Sequence, residues 1–299
     1  MTEQEPSAAR EITERVIRSF DGCPDERLRE IMQGLVRHLH AFVADARLTE
    51  AEWMAGIQFL TRVGQTCSDT RQECILLSDA LGISMLVDAL NHGRGTGATE
   101  STVLGPFYVS GSPWRSNGDA LTTGTDGEPL LARGRVQTLR GDPIPGAVVD
   151  VWQNAANMMY AVQDPSQPED NLRGRFRTDA DGRFWFRSIR PVDYPIPSDG
   201  PVGDMLAATG RHPWRPAHIH LIVSAPGYES VTTHIFDGAS PYLTSDAVFA
   251  VKDSLVRQFH RHDPQEEEPP SGFQGPWYTV DCAIVLEPAV RPGATGPSA

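Results

Sequence analysis

Of the 24 prolines in this chain only Pro6 and Pro24 precede Pro106, and no other feature limits the fold as strongly. Proline removes a backbone donor and clashes inside a helix, so a proline-poor stretch can carry long helices. A stretch punctuated by Pro and Gly breaks into strands and turns. The chain therefore reads as α+β: a helical N-terminal domain over residues 1–100 and an antiparallel β-sandwich over 101–299.

The helical part shows the matching periodicity. Residues 1–10 form a polar leader and Glu11–Phe20 a first short helix. Leu28, Ile31, Leu35, Leu39 and Phe42 then recur at three- and four-residue steps, one apolar stripe of a second. Thr49 and Glu52 have capping-box spacing ahead of Trp53, Ile57 and Leu60. Residues 71–91 predict another helix, carrying Ile75, Leu76, Leu81, Met85, Leu86 and Leu90 and closed by Asn91-His92-Gly93. These apolar faces suit either a small core or an oligomer contact.

A connector over 93–130 leads to runs of strand character: Leu131–Leu139, Ala147–Trp152, Arg175–Thr178, Arg183–Phe186, Ala217–Val223, Val231–Phe236 and Tyr278–Leu286. Asp179–Gly182 predicts a hairpin turn, and a short helix is expected within Ser245–Phe259. No Gly-rich phosphate loop joins a strand to a helix, which excludes the nucleotide-binding folds. A net charge of -13 argues against a nucleic-acid partner or an anionic membrane surface. No apolar run has the form of a secretory signal or the length of a bilayer span, so no membrane insertion is expected. Cys23, Cys67, Cys74 and Cys282 lack metal-ligand pair spacing and read as reduced thiols of a cytoplasmic protein.

Chemistry concentrates in Arg211-His212-Pro213-Trp214-Arg215-Pro216-Ala217-His218-Ile219-His220, which runs into Leu-Ile-Val. On a strand, the period of two puts His218 and His220 on one face and Ile219 on the other. Two neighbouring imidazoles on rigid backbone make half of a metal site. Tyr160, and Tyr194 in a loop stiffened by Pro195 and Pro197, are candidate anionic ligands. So are Asp179, Asp181, Asp193, Asp199 and Asp204, which would instead complete a two-His, one-carboxylate Fe(II) or zinc site. Arg215, three residues before His218, can stabilise negative charge on a substrate or pair with a surface carboxylate.

Tyr194-Pro195-Ile196-Pro197-Ser198-Asp199-Gly200-Pro201-Val202-Gly203, the Arg211–His220 segment, Leu104-Gly105-Pro106-Phe107-Tyr108, Asp150-Val151-Trp152 and Asn171-Leu172-Arg173-Gly174-Arg175 together resemble the intradiol ring-cleaving dioxygenases. Within these the chain is most similar to the enzymes acting on hydroxyquinol. The likeness covers roughly residues 10–290, departing locally at Asn157-Met158-Met159, where the family carries a more polar, glycine-containing stretch. The resemblance implies one Fe(III) per subunit held by Tyr160, Tyr194, His218 and His220. It also implies that Tyr194 leaves the metal as it takes a substrate proton, and that Arg215 stabilises the reacting ring. Leu76, Asp79, Val103, Leu104, Gly105, Pro106 and Phe107 would line the pocket. The implied partners are a small aromatic diol or triol and O2. A homodimer through the helical domain, with a phospholipid in its apolar interface, is implied as well. The reaction would cleave 1,2,4-trihydroxybenzene to 3-hydroxy-cis,cis-muconate, or alternatively catechol or a chlorocatechol. A different-class reading, a metal-free β-sandwich binding module, predicts neither iron nor oxygen uptake.

Overall fold

The computed structural model describes residues 7–93, 97–122, 124 and 126–289; the chain divides into two compact units, Met1–Arg62 and Val63–Ala299. The first unit holds α1 (Ser7–Arg18), α2 (Glu26–Ala46) and most of α3 (Glu50–Thr66). α2 begins where the Asp25 carboxylate accepts the Leu28 N–H at 3.0 Å and ends where Arg47 turns left-handed at φ 50°. The capping box opens α3 as its spacing predicts. The Glu52 N–H donates to Thr49 Oγ1 at 3.3 Å, and the Thr49 N–H donates to Glu52 Oε2 at 2.8 Å. Leu28, Ile31, Leu35, Leu39 and Phe42 remain exposed along α2.

In the second unit the single helix expected over 71–91 is two, α4 (Glu73–Ala80) and α5 (Ile83–Asn91). Gly82 stands between them at φ 73°, a left-handed conformation glycine adopts without strain, and it breaks the helical path. β1 (Pro129–Thr138), β2 (Val148–Gln153), β3 (Arg173–Arg177), β4 (Arg183–Ile189) and β5 (Tyr194–Pro195) then lead to α6 (Pro201–Ala208). β6 (Trp214–Arg215), β7 (His218–Ser224), β8 (Val231–Asp237), β9 (Val256–Arg257), β10 (His260–His262) and β11 (Trp277–Leu286) complete the order. α6 lies outside the expected elements, although Gly200-Pro201 is a usable start signal, since proline suits the first helical position.

One sheet runs β10-β11-β1-β4 and the other β3-β2-β7-β8-β9, with β5 and β6 pairing alone. Pairing is antiparallel except between β1 and β11 and between β8 and β9. Alternate residues of both sheets meet in one core, Leu130, Phe184 and Val280 from the first with Val149, Ile219 and Leu221 from the second. This is the expected sandwich. The Asp179–Gly182 turn, however, is no hairpin: β3 pairs with β2 and β4 with β1, so the turn carries the chain from one sheet to the other. Asp179 Oδ1 closes it locally by accepting the N–H groups of Asp181 and Arg183 at 2.9 and 2.8 Å. The Gly182 carbonyl docks it by accepting the Val136 N–H at 2.8 Å.

Gly182 has φ 73°, and a Cβ there would fall 2.5 Å from the Val136 carbonyl oxygen. We expect Gly182→Ala to cost about 1–3 kcal/mol, read as a lower Tm with unchanged metal content. An unshifted Tm would mean the corner is not held as described.

The helix expected within Ser245–Phe259 reduces to a 3-10 turn at Asp253–Leu255. Asp246 accounts for it. Its carboxylate accepts the N–H groups of Val248 and Ala250 at 3.3 and 3.0 Å, which offers the backbone an alternative to helical bonding. Among the described residues no helix is long and apolar enough to cross a membrane.

Candidate metal centre

β7 sends His218 and His220 to one side and buries Ile219 in the sandwich core, as a strand period of two requires. Its neighbours complete the surroundings. In register, His220 faces Trp152 on β2 and His234 on β8, and His218 faces Phe236. The Trp152 ring stacks on His220 at 4.6 Å between centroids and 11° between planes. Tyr160 enters from a 3-10 turn, its N–H donating to Gln163 Oε1 at 3.0 Å and its ring stacked on Phe107 at 4.8 Å. Tyr194 comes from the two-residue β5–β6 ladder, whose register sets it directly opposite Arg215.

The polar tips converge. Tyr160 Oη lies 3.0 Å from His220 Nε2, 3.4 Å from His218 Nε2 and 3.3 Å from Tyr194 Oη, and the two Nε2 atoms are 3.0 Å apart. Donors about 2.0–2.1 Å from a shared ion in tetrahedral array stand roughly 3.3 Å from one another, so these spacings fit a metal. The protonation pattern agrees. His218 Nδ1 donates to the Pro216 carbonyl at 2.6 Å, which leaves the Nε2 lone pair turned toward His220, Tyr160 and Arg215. His220 Nδ1 is buried without a hydrogen-bond partner, so no tautomer of His220 satisfies both of its nitrogens in the protein alone. A cation among the four tips would stabilise the inward-facing lone pairs.

Electrostatics points the same way. Burial first, then the Arg215 charge, pushes His218 well below the ordinary imidazole range. Burial first, then the neighbouring imidazoles, does the same to His220, so both stay neutral, the form that ligates. Burial, reinforced by Tyr194, pushes the Tyr160 phenol well above its usual range, and only a strong local cation would ionise it. Arg215 is 3% exposed. Burial disfavours its charge, yet Asp246, with Oδ1 3.1 Å from Arg215 Nε, holds the guanidinium above its ordinary range. Arg215 Nη1 donates to Tyr194 Oη at 3.2 Å.

Of the predicted pocket residues, Gly105 and Phe107 lie against the donors. A Cβ on Gly105 would meet His220 Cε1 at 3.5 Å, and φ 77° there favours glycine. Leu76 and Val103 belong to an apolar cluster with Ile196, Ala247 and Val248, whereas Leu104 is exposed and Pro106 half-buried. Asp79 on α4 is buried; burial raises its carboxyl's pKa, opposed by the Ser84 hydroxyl and the Arg215 charge. None of the candidate aspartates takes part, since the grouping of possible His, Cys, Asp and Glu ligands among the described residues is His218, His220 and His234. Asp193 instead accepts the Ala217 N–H at 2.7 Å, and Asp199 pairs with Arg71. The two-His, one-carboxylate alternative is thereby overturned. Met158 adopts φ 69°, the conformation glycine usually fills, so the divergent stretch before Tyr160 keeps a glycine-like turn.

Sequence reasoning missed Asp246 and gave His234 no role. His234 packs on His220 at 4.2 Å between ring centroids, and its Nδ1 is hydrogen-bonded to the Thr102 hydroxyl. Pairing Val231–Phe236 with the His218 strand would have found it, because position 234 then falls opposite 220.

Two phenols and two neutral imidazoles, buried and braced on a β-sandwich beside a fixed guanidinium, define a non-haem Fe(III) enzyme, since phenolate is a hard donor suited to a trivalent ion. The dioxygenase family matches residues 103–278, and the catechol dioxygenase N-terminus family matches residues 25–99. The chain is 50% identical over 275 residues to a hydroxyquinol 1,2-dioxygenase of Rhizobium sp., covering 91% of this chain and 93% of that one. It is 50% identical over 279 residues to a 6-chlorohydroxyquinol 1,2-dioxygenase of Cupriavidus pinatubonensis, covering 93% and 97%. The crystal structure of a hydroxyquinol 1,2-dioxygenase from Pseudomonas putida superposes with a TM-score of 0.88 at 50% identity, covering 94% of this chain and 99% of that one. The chain belongs to the intradiol ring-cleavage dioxygenases.

Proposed function

We propose that this protein cleaves hydroxyquinol with O2 between its adjacent hydroxylated carbons, giving 3-hydroxy-cis,cis-muconate, the tautomer of maleylacetate. The observation that carries the reading is the convergence of Tyr160, Tyr194, His218 and His220 beside the buried Arg215. Relatives named for hydroxyquinol and 6-chlorohydroxyquinol support the substrate class. In this reading the four residues hold one Fe(III) per subunit. Bound Fe(III) supplies the charge that ionises a chelated vicinal diol and makes its ring reactive toward O2. Tyr194 Oη, beside Arg215 Nη1, would take one substrate hydroxyl proton. Arg215, fixed by Asp246, faces the negative charge that grows on the ring, in a water-excluding site where such stabilisation is strong.

Leu76, Val103, Leu104, Gly105, Pro106 and Phe107 form the wall, and the Asp79 carboxyl holds the third hydroxyl, which catechol lacks. Oxygen uptake with hydroxyquinol, catechol and 4-chlorocatechol on one iron-loaded preparation, products identified, tests the assignment. Hydroxyquinol should have the highest kcat/KM. Asp79→Ala should lower that value about 10- to 100-fold, the worth of a hydrogen bond to a charged group, and change catechol far less. Equal losses on both substrates would remove the argument from Asp79.

The exposed α2 stripe supports a homodimer contact through a helical domain of residues 1–100, with an apolar seat for a phospholipid, ahead of a catalytic domain of residues 101–299. Separate family matches on either side of residue 100 support that division. Sedimentation should give a two-chain species and native mass spectrometry a lipid adduct; a lipid-free monomer would discard both. The four free cysteines support a cytoplasmic location, which fractionation of the source cells would check.

A further inference from the structure

Cys67 and Cys74 stand apart from the iron chemistry and close to each other. Cys67 follows the last residue of α3, Cys74 is the second residue of α4, and their Sγ atoms are 3.6 Å apart. Cys67 is half-buried and Cys74 exposed, so a small oxidant can reach the pair. The loop between them is tightly built. Ser68 and Arg71 exchange backbone hydrogen bonds, and Ser68 Oγ accepts the N–H groups of Thr70 and Arg71.

The loop is also anchored. Arg71 donates from Nε and Nη2 to Glu73 Oε2 at 3.1 and 3.0 Å, and Glu73, wholly buried, accepts the Val202 N–H at the start of α6. The two thiols are not equivalent. The backbone N–H of Cys74, with smaller help from its S–H and from the Glu73 backbone, holds Cys67 below the ordinary thiol range. The hydrogen bond to Cys67 pushes Cys74 above it. Cys282, by contrast, is driven up to about 12 by burial.

We propose that Cys67 and Cys74 are a peroxide-sensitive thiol pair whose closure to a disulfide displaces α4 and weakens binding of the diol. The consequence for binding rests on the function proposed above; the chemistry of the pair does not. The Cys67 thiolate attacks one oxygen of hydrogen peroxide, the O–O bond breaks, and hydroxide leaves and takes up a proton to become water. Cys74 sulfur then attacks the sulfenic sulfur of Cys67: the S–S bond forms, the S–O bond breaks, and the departing hydroxide takes the Cys74 proton. Two thiols lose two electrons and one peroxide becomes two waters. A disulfide bond is about 2.05 Å long, so the sulfurs must approach by roughly 1.5 Å from their present 3.6 Å. Cys74 follows the anchored Glu73 in the first turn of α4, so part of that movement is taken up within α4, whose next turns carry Leu76 and Asp79 in the proposed pocket wall.

The test treats the reduced, iron-loaded enzyme with equimolar peroxide and maps tryptic peptides without reductant. Arg71 lies between the cysteines, so trypsin separates them unless a disulfide joins the fragments. A cross-link between Cys67 and Cys74 is expected, reversed by a dithiol. KM for hydroxyquinol should rise roughly tenfold, the lower end of what one methylene of misfit costs in a pocket, with kcat less affected. Cys67→Ser and Cys74→Ser should keep the KM of the reduced protein and lose the response to peroxide. A map without the cross-link, or a cross-linked enzyme with unaltered KM, overturns the proposal. If the protein cleaved no diol, the substrate assignment would fail separately. The pair would then be judged by the map and by amide exchange in α4, which oxidation must alter.

Discussion

Tyr160→Phe should remove most of the visible colour of the iron-loaded protein and lower ring cleavage by more than about 100-fold, the upper end of the loss seen when even a partner outside the coordination sphere is removed. The substitution deletes one oxygen and keeps the ring, so stacking on Phe107 and burial in the cluster with Trp152 and Tyr194 are retained. The fold should persist. What disappears is the atom 3.0 Å from His220 Nε2 and 3.3 Å from Tyr194 Oη, one of the two donors proposed to offset a trivalent charge. Iron content and the visible spectrum are measured beside turnover, because a protein that merely lost iron and one that holds it without phenolate-to-iron absorption both fit the assignment. A Tyr160→Phe enzyme as coloured and as active as the parent would end it.

Arg215→Met has the second large effect, and it divides into two parts. Removing one member of a buried ion pair strands the Asp246 carboxylate, which costs about 3–5 kcal/mol of stability. Losing the guanidinium beside Tyr194, proposed to face the reacting ring, should cost a further factor of about 10²–10³ in kcat, if it acts as one oxyanion-hole donor does. Replacing both partners, Arg215→Met with Asp246→Leu, separates the parts. An apolar pair of similar volume removes the stranded charge, but Asp246→Leu also leaves the buried Val248 and Ala250 N–H groups unpaired, so stability should return only in part. Activity should not. If the double variant regained turnover as well as stability, Arg215 would be a structural residue only, and the electrostatic role assigned to it would be lost.

Much of this site is legible along the chain because local geometry produces it. His218 and His220 share a face since a strand alternates, and Thr49 with Glu52 opens α3 since a capping pair needs only its own backbone. The proline-poor beginning and proline-rich remainder separate helices from strands for an equally local reason. The misses arise where partners are distant. Gly182 looks like a hairpin turn because turn chemistry is the same whether the chain returns to its own sheet or crosses to the other. Asp246 looks like a surface carboxylate until folding brings it to Arg215, 31 residues earlier. Cys67 and Cys74 look unrelated because their approach depends on how one helix ends and the next begins.

By itself the sequence determined that helices precede strands and that an imidazole pair would project from one strand, because φ/ψ preference and side-chain period act within a few residues. Whether phenols or carboxylates complete that pair was decided only by tertiary structure. The β5–β6 ladder and the turn before Ala161 carry Tyr194 and Tyr160 inward, while Asp193 and Asp199 are consumed by hydrogen bonds elsewhere. Which donor reaches a buried point depends on the register of segments far apart in the chain, and register is fixed by the packing of the whole sandwich.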